Sequence, residues 1–191
     1  MRIALVILLA GCYRSTGQPT PIANKSDVGP EAALTMTPSG VGPINSTTKV
    51  TLTGLRTILI GYEVKPLHDG SLQYDIFQNG EKLAYVVPDD QSGYVFNVHA
   101  VSPRVAISGL SWRVGRAFKS SSHLTSCECW GSNPTCYASG EHIAVNFGRG
   151  CDGLMGGEVG EEDDHPGLRV LDGEIVQRVI WSPTAFGEAE E

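Results

Sequence analysis

The chain has 191 residues and carries 14 basic against 21 acidic side chains, a formal net charge of −7. Binding to a phosphate backbone or to anionic headgroups needs clustered positive charge, and the Lys and Arg here are dispersed, so a nucleic-acid partner and electrostatic adhesion to membranes are both disfavoured. With 41% hydrophobic residues the chain has enough apolar surface for one well-filled domain.

The N-terminus is the most informative segment. An unbroken apolar run from Ile3 to Ala10 follows Arg2 and ends in Leu9-Ala10-Gly11-Cys12. A positive flank, a short apolar core and small residues before a cut site make a secretory leader. Set directly against a cysteine, the same features form a bacterial lipobox, in which Cys12 is diacylated through sulfur and becomes the new N-terminus. The run is far shorter than the ~20 residues needed to span hydrocarbon, so it reads as a removable signal peptide, residues 1–11, and not as a membrane helix. Two or three acyl chains, at ~0.8 kcal/mol per buried methylene, then anchor the protein stably. Tyr13, where an Asp would favour inner-membrane retention, points to sorting to the outer membrane with the domain on its periplasmic face.

Residues 12–43 are rich in Ser, Thr, Gly and Pro, with Pro19, Pro21, Pro30 and Pro38 breaking regular structure, and they read as a lipidated flexible tether. The folded domain is expected over 44–187, followed by an acidic tail at 188–191. Leu52, Leu55 and Ile58 fall at helical spacing behind a Thr51 N-cap and ahead of a Gly61 C-cap, which predicts a short helix near 52–60. Tyr62 to Lys65, Leu72 to Ile76, Lys82 to Val87 and Tyr94 to Val98 alternate as strands. Turn pairs at Asp69-Gly70 and Asn79-Gly80 and a loop over 88–93 punctuate them, so the four strands form an antiparallel meander. A second helix is predicted over Gly115 to Leu124, burying Val114, Phe118 and Leu124. His142 to Phe147 and Ile175 to Trp181, rich in β-branched residues, read as strands, and Gly148 to Gly173 as a long loop. The expected fold class is α+β: a single domain with an antiparallel β-sheet meander and one or two short helices packed on one face.

Apart from Cys12 there are four cysteines, Cys127, Cys129, Cys136 and Cys151, an even number in an exported chain, which predicts disulfides. Of the three possible pairings, one joining Cys127 to Cys129 closes a strained ring. Cys127–Cys136 with Cys129–Cys151 is the pairing taken, and Cys127–Cys151 with Cys129–Cys136 stays open beside it. A metal site built from these sulfurs with His123 and His142 is the competing reading, but the spacing lacks paired Cys-x2-Cys knuckles and export oxidises thiols, so no metal or other cofactor is expected. Glu158, Glu161, Glu162, Asp163, Asp164 and His165 form the densest charge run; their spacing does not match an EF-hand, and they read as a solvated loop. Gly40-Val41-Gly42 is no phosphate loop, because Pro43 removes a donor and no strand is expected before it. Gly109-Leu110-Ser111-Trp112-Arg113 lacks the second glycine of a nucleophile elbow. His68, His99, His123, His142 and His165 are scattered. His99 falls on the strand face opposite Tyr94, Phe96 and Val98, which predicts that it is exposed. Trp112, Trp130 and Trp181 are assigned to the core or its rim.

Several segments, in order, resemble a known family: Ser39 to Asn45, Leu55 to Val64, Gly80 to Val87, Val101-Ser102-Pro103, Gly109 to Gly115 and Val179-Ile180-Trp181. Over roughly residues 38–182 the chain is similar to the RpoE (sigma-E)-regulated small bacterial lipoproteins, a family of unknown function. The resemblance implies a lipid-anchored envelope protein without established enzymatic activity, and a cysteine after the second helix, Cys127 or Cys129, bridged to Cys136. The additional cysteine pair and the acidic segment 158–164 depart from that pattern.

The expected function is therefore a non-catalytic structural or interaction role at the outer membrane. The partners are the membrane itself, through the acyl chains on Cys12, and an envelope protein. The alternative is a periplasmic lipoprotein that binds a small ligand or a metal in a pocket beside the sheet.

Overall fold

The computed structural model describes residues 33–67, 72–119, 124, 126–130, 133–138, 140–148, 151 and 171–187, the side chains of 129 and 130 excepted. Among the described residues, eleven strands and one helix follow in order: β1 (Leu34–Thr37), β2 (Gly40–Val41), α1 (Leu52–Ile58), β3 (Glu63–Pro66), β4 (Tyr74–Gln78), β5 (Glu81–Pro88), β6 (Val95–Ala100), β7 (Val105–Ile107), β8 (Ser126–Trp130), β9 (Asn133–Tyr137), β10 (Ile143–Phe147) and β11 (Val176–Trp181). The class is mainly β, in a single domain, and not the α+β arrangement with up to two helices that the sequence predicts.

The meander is as expected. Strands β3 to β6 pair antiparallel in succession, and the β4–β5 turn is Asn79-Gly80 with φ of 54° and 79°, the left-handed pair that a two-residue hairpin requires. A second meander, β8-β9-β10, is joined to the first by β11, which pairs with β6 on one side and β10 on the other. The result is one eight-stranded sheet in the order β3-β4-β5-β6-β11-β10-β9-β8. The C-terminal strand thus closes the middle of the sheet last in chain order. The Asp69-Gly70 turn, the acidic run 158–164 and the tail 188–191 lie outside the described residues.

Period-two alternation gives this sheet one apolar face from β3 to β9, and Ile180, Ala144 and Tyr137 form a second, small cluster with Phe186 on the other. Val64, Ile76, Ala84, Ala100, Val179, Val145 and Cys136 fall opposite one another strand by strand and are all buried. That face packs in one core with α1 and a second, three-stranded sheet in the order β2-β1-β7. Leu34, Met36, Val41, Val105 and Ile107 of the small sheet are buried against it. Trp181 Nε1 donates to the Pro38 carbonyl at 2.9 Å, which links the two layers at one end. At the other end Arg104 donates to Gln78 Oε1 at 2.7 Å and Ser102 to the Glu81 carboxylate.

The domain therefore begins earlier than the sequence predicts. Residues 34–41, assigned to the tether, form β1 and β2, and β1 pairs in parallel with the distant β7. A strand does precede Gly40-Val41-Gly42, and Gly40 serves packing: a Cβ on it would lie 2.0 Å from the Ile44 carbonyl oxygen.

Helix α1 matches its prediction closely. Thr51 Oγ1 accepts from Gly54 N–H at 3.0 Å and Leu55 and Leu59 are buried, but the C-cap is Leu59 rather than the predicted Gly61, which adopts φ of 87° two residues further on. The second predicted helix is absent from the described part of 115–124. Gly115 takes φ of 76° in a turn, and the chain then forms an isolated bridge from Ala117 to Ile175: Gly115 N–H donates to Val176 O, Phe118 N–H to Glu174 O, and Val176 N–H to Arg116 O. Val114, Phe118 and Leu124 are buried as predicted, Val114 from a turn and Phe118 from beside the bridge between Ala117 and Ile175.

Candidate functional site: the cysteine cluster and the polar face of the sheet

Cys12 lies outside the described residues. Cys127 and Cys136 stand directly opposite each other on β8 and β9 and form a disulfide. Cys136 is fully buried on the apolar face, whereas Cys127 is exposed on the outermost strand, so the bond fastens an edge to the core. Cys151 is also disulfide-bonded. Cys129 lies on β8, and the expected Cys129–Cys151 pairing falls on a side chain outside the described part. The sulfurs of Cys127 and Cys136 are thus bound to each other rather than held as thiolates. Among the described residues, no three or more His, Cys, Asp or Glu side chains converge as metal ligands.

The opposite face of the sheet carries polar residues that the sequence reading did not gather. Asp75, Tyr85 and His99 lie side by side on β4, β5 and β6; the β11 residue opposite His99 is Ile180, and Arg178, two residues away on the same face, starts a second row with Asn146 on β10 and Thr135 on β9. The Tyr85 and His99 rings stack with centroids 4.4 Å apart. Arg178 donates from Nη1 to the Tyr85 hydroxyl and from Nε to Asn146 Oδ1, both at 2.9 Å. Asn146, buried, donates in turn to Thr135 Oγ1 at 2.9 Å and to the Pro134 carbonyl at 3.2 Å. A register shift between Ile76 and Phe77 sets Lys82 opposite Phe77, from where its ammonium reaches Asp75 Oδ1 at 2.8 Å and lies 5.1 Å from the Tyr85 ring centroid. These links involve six strands and tie the two meanders together through β11.

His99 is the most perturbed group of the row. Burial, and secondarily the positive charge of Arg178, push its imidazole down to about 3. It is therefore neutral, with Nε2–H donating to Asn97 Oδ1 at 2.8 Å, while the buried Nδ1 has no hydrogen-bond partner. This corrects the expectation of an exposed His99. It does share a strand face with Asn97, but Tyr85 and Arg178 from the flanking strands cover that face. Phe96, on the other side of the strand, is 54% exposed instead. At the far end of the sheet the Tyr137 hydroxyl donates to the Glu128 carboxylate, and burial first, then that bond, push the phenol up to about 12. His142 Nδ1 lies 2.9 Å from the Ser182 carbonyl and donates to it. His68, His123 and His165 lie outside the described residues. Trp112 and Trp181 are buried, as assigned.

The arrangement works as a hydrogen-bonded lattice that holds strands in register. Its sequence signal was available in the polar residues at alternate positions inside otherwise β-branched strands, Asn97-x-His99 and Asn146 within Ile143 to Phe147. Their grouping depended on which strands become neighbours.

No family model matches the chain, and no curated protein matches it. Among solved structures it is similar to the uncharacterized protein yfeY from Escherichia coli, with a TM-score of 0.52 and 17% sequence identity over 78% of this chain and 99% of that one. At this identity the likeness is one of fold.

Proposed function

We propose that the chain is a lipid-anchored envelope protein related to the RpoE-regulated lipoproteins, held at the outer membrane by acyl chains on Cys12 and acting through contacts rather than turnover. The observation that carries this reading is the Leu9-Ala10-Gly11-Cys12 box closing an apolar run behind Arg2. The Cys127–Cys136 bond supports export to an oxidising compartment. The lattice around Arg178 and His99 supports a scaffold role for the sheet, since these groups are committed to one another and to neighbouring strands. The partner is an envelope protein, and the domain faces the periplasm.

Growth with labelled palmitate tests the anchor: wild-type protein should be labelled and sediment with outer membranes, and a Cys12→Ser variant should be unlabelled and soluble. Equal labelling of both forms would refute it. Turnover of peptidoglycan or esters that vanishes on changing one His or Asp would overturn the non-catalytic part.

A further inference from the structure

A crevice of about 180 Å³ opens where the ends of the two sheets meet, lined by Pro38, Ser108, Gly109, Leu110, Trp112, Ala138, Glu141 and Ile143. Its walls are fixed by backbone hydrogen bonds. Ser108 N–H donates to Met36 O at 2.9 Å on the small sheet, and Glu141 N–H to Ala138 O at 3.1 Å on the β9–β10 connection. The C-terminal segment braces that connection from behind, with Phe186 N–H donating to Glu141 O and Gly140 N–H to Phe186 O, both at 2.9 Å. The lining is apolar along Pro38, Leu110, Trp112, Ala138 and Ile143, and among the described residues Glu141 is its one ionisable member.

We propose that this crevice binds a small organic cation, a primary ammonium carrying a single ring or a short branched alkyl group. Three features set that class. Trp112 and Glu141 both border this cavity, and an aromatic ring with a carboxylate is a residue pair suited to organic ammonium groups. The volume is close to the ~150 Å³ that accommodates benzene in an apolar protein cavity, so the crevice has room for one ring. With Glu141 as the lone charge and a chain of net −7, an anionic ligand is repelled. The site does not depend on the lipid anchor, so it can be tested separately from it.

The test uses the unlipidated Cys12→Ser protein, labelled with 15N, titrated with phenethylamine, 2-phenylethanol and 3-phenylpropionate. Phenethylamine should shift the Trp112 indole resonance saturably, with a dissociation constant on the order of 1 mM, as suits nine heavy atoms. The carboxylate should bind at least about tenfold more weakly. Glu141→Gln, at an exposed position, should weaken the amine about threefold and leave the alcohol unchanged, a selective loss that a structural role for Glu141 would not produce. Ser108→Trp, at the exposed mouth, should abolish binding of both. Equal binding of amine and carboxylate, no saturable shift, or amine affinity unchanged by Glu141→Gln would each overturn the proposal. The Glu141→Gln comparison decides alone if Ser108→Trp fails to fold.

Discussion

Acid should destabilise this domain through His99 well before its carboxylates titrate. The folded protein holds this imidazole neutral down to about 3, whereas an unfolded chain protonates it near the ordinary 6.5. Below 6.5 the unfolded state therefore binds a proton that the native state refuses, and stability falls with pH at about 1.4 kcal/mol per unit. The loss is absent above pH 7, reaches about 2 kcal/mol at pH 5, and levels at about 5 kcal/mol once the native imidazole itself protonates near pH 3. A His99→Phe variant retains the ring over Tyr85 but cannot take up the proton. Urea unfolding of the Cys12→Ser protein and the same protein with His99→Phe, from pH 8 to pH 5, isolates the effect, because all other groups cancel in the difference. The variant starts lower at pH 8, by the lost bond to Asn97, and should decline about 2 kcal/mol less by pH 5. Parallel curves would show that the imidazole is as free to protonate in the fold as out of it, refuting the burial argument.

Replacing Cys127 and Cys136 together by Ser opens a loop of sequence separation 9, which should cost about 2.6 kcal/mol by loop entropy, read as a lowered urea midpoint. Gly40→Ala forces a Cβ against the Ile44 carbonyl and should cost more than about 3 kcal/mol, whereas Gly93→Ala, at φ of 71° with open space around it, should cost about 1 kcal/mol. Equal losses at the two glycines would contradict the close approach of β2 to Ile44. Arg178→Met strips partners from Tyr85 and from buried Asn146, and should cost about 1–3 kcal/mol and raise amide exchange in β10 and β11 ahead of β3 and β4.

The meander was legible because its information is local. Asn79-Gly80 allows only one kind of turn, and the flanking strands alternate in the register that the turn sets. Helix α1 was legible for the same reason, with its Thr51 N-cap and buried Leu55 within one turn, although its C-cap fell at Leu59 rather than Gly61. The second helix was a mirage of spacing: Val114 and Phe118 stand four apart, as on a helix face, yet a turn at 113–116 and a bridge to residues 174–176 bury them equally well. Strand β1 was hidden by the Pro- and Gly-containing composition around it and by a parallel partner some seventy residues away, a pairing that no local pattern encodes. The polar row was invisible for a related reason. Which residues meet His99 depends on β11 entering between β6 and β10, and burial of a polar group follows its neighbours rather than its own strand.

The central claim is that the mature chain begins at an acylated Cys12. Intact-mass analysis of the N-terminal peptide released from purified membrane-extracted protein tests it directly. The account predicts a peptide starting at Cys12 and heavier than its amino acids by a diacylglyceryl group and an amide-linked acyl chain; a peptide starting elsewhere, or Cys12 at its bare mass, would contradict it.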